Sequence, residues 1–151
     1  MNVRRAELAD AEDIGWLLHD FNTEYEDVTP GPDVIAARLR PLMESGETLA
    51  LLLGDGPDGL AVMRFRPSIW TEGLECYLAE LYVVPALRGQ GRGRALMEGA
   101  IQAARAKGAD HMELNTGEDD VAARRLYESL GFSRSEGKPD GPVNYYYERE
   151  L

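Results

Sequence analysis

Two rhythms of apolar and polar residues alternate along this chain. Ile14, Leu17, Leu18 and Phe21 recur every three or four positions, which marks one face of a helix beginning after Asp10. Val34, Ile35, Ala37, Leu39 and Leu42 repeat that spacing after Asp33, an N-cap type, and stop before Gly46. Pro30-Gly31-Pro32 between them breaks the first helix. The rhythm then shortens to that of strands. Thr48–Leu53 reads as a buried strand, Gly54–Gly59 as a hairpin loop, and Leu60–Arg66 as a returning strand that ends at Pro67. Ile69–Gly73 turns the chain into a long strand, Leu74–Val84. Helical spacing returns from about Gly91 to Lys107 and is stopped by Gly108. His111–Asn115 reads as a strand, and Asp119 or Asp120 caps a helix carrying Val121, Ala122, Leu126, Tyr127 and Leu130, with Gly131 as its stop. Phe132–Arg134 and Val143–Glu148 read as closing strands around a Gly-Lys-Pro-Asp-Gly-Pro loop, and Asn2–Glu7 as a first strand.

A hairpin meander followed by helical crossovers predicts an α/β (α+β) architecture: a mixed, mostly antiparallel central sheet with flanking helices. Residues 1–151 are expected to form one domain, because no linker, repeat or low-complexity tract divides them.

Composition narrows the partners. Asp and Glu number 27 against 16 Lys and Arg, a formal net charge of −11. That excess disfavours nucleic acid, whose phosphates need surplus cations, and favours a cationic amine or basic peptide. No apolar run is long enough to span a bilayer, the N-terminus lacks a signal-peptide core, and Cys76 is the only cysteine, so a cytoplasmic protein without an intrachain disulfide is expected. His19 and His111 stand apart from other ligand types, which argues against a metal.

The chemistry concentrates where the long strand meets the next helix. Gly89, Gly91 and Gly93 alternate with Gln90, Arg92 and Arg94, and Arg88 precedes them. A helix that starts in such a loop presents unpaired N–H groups, the positive end of its dipole and nearby guanidinium charge, which together suit a phosphate or pyrophosphate. The spacing fails the dinucleotide pattern G-x-G-x-x-G and lacks the Gly-Lys-Ser/Thr ending of nucleoside-triphosphate loops.

Arg88-x-x-Gly91-x-Gly93 after a strand resembles the acetyl-CoA signature of the GCN5-related N-acetyltransferase (GNAT) family. Leu126-Tyr127-x-x-x-Gly131-Phe132 is similar to that family's late helix, and the order of elements follows the family along the whole chain. The resemblance implies acetyl-CoA as co-substrate, its pantetheine arm against the backbone of Leu81, Tyr82 and Val83, and its pyrophosphate over Gly89–Arg94. It also places Asn115 and Asp120 on the cofactor side. Many relatives carry asparagine where this chain has Asp120, and a carboxylate has no N–H to donate. Asp120 equally suits a plain N-cap.

Acetyl transfer to an amine needs a base, an oxyanion site and a proton for the leaving thiolate. By resemblance Tyr127 is the acid and Glu80 the base, with a water as the alternative base. The competing readings are a core aromatic for Tyr127 and an ion pair for Glu80. Phe21, Glu24 and Tyr25, with Trp70 as a lid, are the expected acceptor residues, since carboxylates and aromatics suit a cationic amine. The implied activity is N-acetylation of a primary amine on a small cationic molecule, protein or peptide, the alternative being a non-catalytic acyl-CoA-binding module. A homodimer through Tyr145–Tyr147 is a family expectation.

Overall fold

Thr48, Ala50 and Leu52 point to one side of their strand and Leu49, Leu51 and Leu53 to the other, and all six are buried. A strand apolar on both sides has to be covered on both sides, and the computed structural model, which describes all of Met1–Leu151, builds its architecture around that requirement. The sheet contains β1 (Val3–Arg5), β2 (Thr48–Leu53), β3 (Gly59–Pro67), β4 (Leu74–Val83) and β5 (Ala109–Glu113), in spatial order β1-β2-β3-β4-β5. The first four pair antiparallel. Leu74, opening β4, donates its N–H to the carbonyl of Gly108 just before β5 (3.0 Å). The two strands therefore start side by side and run parallel, which makes the sheet mixed, as the sequence predicts.

Helices α1 (Ala11–Glu24) and α2 (Pro32–Glu44) cover one face, where Ile14, Leu17 and Leu39 pack on Ala50, Leu52, Leu60, Val62 and Tyr82. Helix α3 (Arg92–Lys107) covers the other, burying Leu96, Met97, Ala100 and Ala104. Gly99 lets α3 approach closely, since a Cβ there would stand 3.0 Å from Val3 Cγ1 and 3.5 Å from Leu51 Cδ1. The chain forms two compact units, Met1–Met112 and Glu113–Leu151. The second holds α4 (Val121–Ser129). No helix is long and apolar enough to cross a membrane.

Several boundaries differ from the sequence reading. Helix α1 ends at Glu24, so Pro30-Gly31-Pro32 does not terminate it; Gly31 (φ 97°) and Pro32 instead open α2. Proline suits a first helical turn because the N–H it lacks would be unpaired there anyway. Asp33 accordingly lies inside the first turn rather than at the cap. Asp10 stands at the N-cap position of α1 without a side-chain cap bond: its carboxylate accepts the Glu7 N–H (2.7 Å) and two hydrogen bonds from Arg4 (2.8 Å each). Asn115 lies beyond the end of β5.

The closing strands do not form. Phe132–Arg134 and Val143–Glu148 carry no regular structure. A hydrogen bond from Asn144 N–H to Arg134 C=O (2.8 Å) joins them without the repeating pairs that a ladder requires. Positive φ at Glu136, Gly137 and Asp140, together with Ser133 and Ser135 hydroxyls that bond nearby backbone, turns the intervening chain locally. Tyr145, Tyr146 and Tyr147 are exposed and lie outside any strand.

Candidate functional site

Strand β4 delivers the chain into the glycine-rich turn. After Pro85–Leu87, a single 3-10 turn, Gly89 (φ 74°) and Gly91 (φ 84°) take left-handed conformations that side chains resist. Nothing occupies the space where a Cβ of Gly89 would stand. The first hydrogen bond of α3 runs from Ala95 N–H to Gly91 C=O (3.1 Å). The amides of Arg92 and Gly93 are therefore donors without a helical acceptor at this N-terminus, and Gly91 has no side chain to cap them. The arrangement fits an anionic ligand such as the pyrophosphate of acetyl-CoA.

The arginines of the turn are unequally available. Arg92 donates to the Leu87 carbonyl and to Gln90 Oε1 (2.7 Å). Arg88 turns away from the amides. Its Nε donates to the Val83 carbonyl (2.9 Å), its fork grips Glu24, and its guanidinium lies 5.5 Å from the Tyr82 ring centroid. Arg94 is exposed at the start of α3.

Next to the turn, β4 is irregular. Val62 faces Glu80 while Met63 faces Leu78, so Ala79 is an extra residue bulged out of the ladder. Strand β5 has five residues against ten in β4. From the shared start at Leu74 and Gly108 it runs out beside the bulge, so Leu81, Tyr82 and Val83 have no strand partner on that side. Leu81 and Val83 are half-buried, whereas the Tyr82 ring is turned into the core and stacks on Phe21 (5.0 Å, 20°).

The bulge puts Glu80 at a cavity of about 340 Å³ between the sheet and the α1–α2 pair. Its lining includes Leu18, Asn22, Ile35, Leu39 and Leu42 from the helices and Val28–Pro30 from their connection. Glu80 has no hydrogen-bond partner, and burial raises its pKa above the ordinary glutamate value of 4.5. An unpaired carboxylate with raised proton affinity, open to a cavity, is a group able to take a proton.

None of the residues expected to receive the acceptor lines this cavity, and three of them, Phe21, Glu24 and Tyr25, gather around Tyr82 and Arg88. Glu24 is paired with Arg88; Phe21 stacks on Tyr82; Tyr25 meets Phe21 edge-on (5.5 Å, 70°) and is exposed. Trp70, at the tip of the β3–β4 turn, is 88% exposed and is not part of the lining. The cavity residues that sequence reasoning missed are Asn22, Thr29, Arg38, Thr48 and Arg64. The strand members carried a readable signal. Arg64 follows Leu60 and Val62 on the core face of β3, and Thr48 follows Leu52 and Ala50 on that of β2, so each interrupts an apolar series.

In the second unit, Asp120 is the N-cap of α4 and accepts the Ala123 N–H (3.1 Å). Tyr127 packs edge-on against Phe132 (6.2 Å, 66°), and its hydroxyl makes no hydrogen bond. Burial, with a smaller contribution from Asp120, pushes its pKa up to about 12. Gly131 (φ 91°) closes the helix. Asn115 lies in the irregular segment before α4.

Comparison with known proteins identifies the family. The chain is 32% identical over 133 residues to a mycothiol acetyltransferase of Beutenbergia cavernae, a match covering 82% of this chain and 42% of that protein. The chain thus spans less than half the length of the mycothiol acetyltransferases it matches. It is 27% identical over 141 residues to the uncharacterized N-acetyltransferase YhfO of Bacillus subtilis, covering 91% of this chain and 93% of that one. A solved structure from Arthrobacter sp. FB24, provisionally named an acetyltransferase, superposes with a TM-score of 0.91 at 42% identity, covering 100% of this chain and 96% of that chain. The model of the acetyltransferase (GNAT) family matches residues 13–132. With the glycine turn, the bulged β4 and the late Tyr127 helix all inside that span, the chain belongs to the GNAT acetyltransferase family.

Proposed function

We propose that the chain is an acetyl-CoA-dependent N-acetyltransferase that acts on a primary amine. The observation that carries this reading is Glu80: an unpaired carboxyl of raised pKa at the bulge of β4, open to a cavity, on the strand that leads into the unpaired amides of α3.

In the proposed reaction the amides of Arg92 and Gly93 bind the pyrophosphate, and the open edge of β4 from Leu81 to Val83 pairs with the pantetheine arm. The acceptor enters the cavity as an ammonium, whose pKa is near ~10. Glu80 takes its proton, directly or through a water. The neutral nitrogen attacks the thioester carbon, a backbone amide of the β4 edge holds the oxyanion, and the C–S bond then breaks. Tyr127 gives its proton to the departing thiolate and regains one from the second proton that the attacking nitrogen sheds, while Glu80 passes the first to solvent. The Tyr127 hydroxyl is uncommitted and, at a pKa of about 12, stays protonated at working pH. Of the carboxylates expected to draw a cationic acceptor, Glu24 is already neutralised by Arg88, which leaves Glu80 as the one at the cavity. Self-association through the exposed Tyr145–Tyr147 segment belongs to the same proposal and is read by sedimentation.

The test is calorimetric titration with acetyl-CoA, beside a Gly91→Glu variant. That substitution puts a side chain where φ is 84° and a negative charge among the donors. Saturable wild-type binding that the variant loses, followed by thiol release with an amine panel, is the expected result. No wild-type binding overturns the donor site, and binding without turnover identifies a non-catalytic acyl-CoA-binding module.

A further inference from the structure

The cavity beside Glu80 contains charge of the opposite sign. Arg64 lies on the same face of β3 as Leu60 and Val62, and Thr48 is its register partner on β2. Arg38 reaches the same cavity from α2. Both arginines line the cavity and are exposed, and neither is paired with a carboxylate of the chain. Thr48 is 2% exposed, and its Oγ1 is a buried polar atom with no hydrogen-bond partner.

These features have a common explanation in a ligand. A buried hydroxyl without a partner is destabilising, and a guanidinium left open beside it is a fork matched to a two-oxygen anion. The Thr48–Arg64 rung lies two residues along β3 from the Val62–Glu80 rung, a separation on the order of 7 Å. One small molecule can therefore meet both. Leu18, Leu39 and Leu42 supply apolar wall for the rest of it.

We infer that the acceptor is an amino acid-type molecule, carrying a carboxylate beside its primary amine. The carboxylate sits on Arg38 and Arg64 with the Thr48 hydroxyl, and the amine faces Glu80. A polyamine or other polycation would place positive charge against two unpaired guanidinium groups. The net charge of −11 does not oppose this. Charge spread over the surface is screened within about 10 Å, whereas the two arginines act in contact.

The inference rests on the acetyl-transfer reading, and its test separates the two. The standard amino acids and their carboxamides, which keep the amine and lose the anionic charge, are titrated into wild-type protein held with CoA. The same pairs are assayed for thiol release from acetyl-CoA. At least one amino acid is expected to bind, and to be acetylated, about tenfold or more better than its carboxamide. Arg38→Ala and Arg64→Ala are expected to collapse that ratio toward one, while acetyl-CoA titration shows that each variant is folded. Arginine-dependent binding of the amino acid without turnover would keep the carboxylate site and sink both the transferase reading and the amino acid's part as acceptor. Equal binding of acid and carboxamide, or turnover of polyamines in preference to both, would overturn the inference and leave the transferase reading intact.

Discussion

Arg88 and Glu24, 64 residues apart in sequence, hold each other through two parallel hydrogen bonds of 2.8 Å, Nη1 to Oε2 and Nη2 to Oε1. The pair ties the end of α1 to the turn that opens toward α3. Both side chains are partly exposed, at 41% and 29%, so a double-mutant cycle in denaturant is expected to return roughly 0.2–1 kcal/mol of coupling, smaller at high salt. If Arg88 acts as this strut, Glu24→Gln and Arg88→Ala weaken acetyl-CoA binding by similar factors. Weakening confined to Arg88→Ala would show that its guanidinium meets the phosphates directly.

Glu80→Gln is expected to lower kcat about 100-fold or more, the scale of a lost general base, with acetyl-CoA affinity unchanged by calorimetry. In the wild type, kcat/KM should rise with pH along a limb centred above 4.5, because burial favours the protonated carboxyl and only the ionised form is a base.

Stability follows from the same shift. A carboxyl whose folded pKa is raised stabilises the fold fully below its unfolded pKa and loses that contribution as pH rises through the folded value. Glu80→Gln should therefore raise the Tm relative to wild type at pH 8 and leave it little changed at pH 4. A lower Tm at pH 8 would mean that the ionised carboxylate has a favourable partner.

Tyr127→Phe is expected to reduce kcat by about 100-fold or more with little change in acetyl-CoA affinity. Since the hydroxyl titrates at about 12, no basic limb in the wild-type profile below pH 10 should disappear in the variant. Unchanged kcat would leave Tyr127 as the ring that packs on Phe132.

Asp10 gives an acid-stability test away from the site. Hydrogen bonds from Arg4 first, and from the Glu7 amide second, lower its pKa from 3.8 to about 2. The stabilisation is present above 3.8 and is lost as pH falls through 2. Thermal unfolding of Asp10→Asn should accordingly depend less on pH between 2 and 4 than that of the wild type.

The order of elements from β1 to α4 was legible because each rests on a local pattern: helical spacing at Ile14–Phe21, the apolar run of Leu49–Leu53, stops at Gly108 and Gly131. The closing strands were not. Val143–Glu148 has strand-forming residues, but a strand exists only with a partner ladder, and pairing is not encoded within a single segment. The glycine turn was legible down to its unpaired amides, since left-handed backbone at Gly89 and Gly91 is a property of those residues. The cavity was half legible. Glu80 was named from resemblance; Thr48 and Arg64 were visible as breaks in alternation but carried no meaning until β2 and β3 put them opposite each other.

Local periods and glycine positions therefore sufficed for the family, the order of elements and the phosphate-type turn, because backbone conformation and amphipathic spacing act over a few residues. The tertiary structure alone decided that Arg88 is spent on Glu24, that the bulge at Ala79 opens Glu80 to a cavity, and that Arg38, Thr48 and Arg64 share it. These depend on register and helix packing between distant segments, where a one-residue slip in a strand sends every side chain to the opposite face.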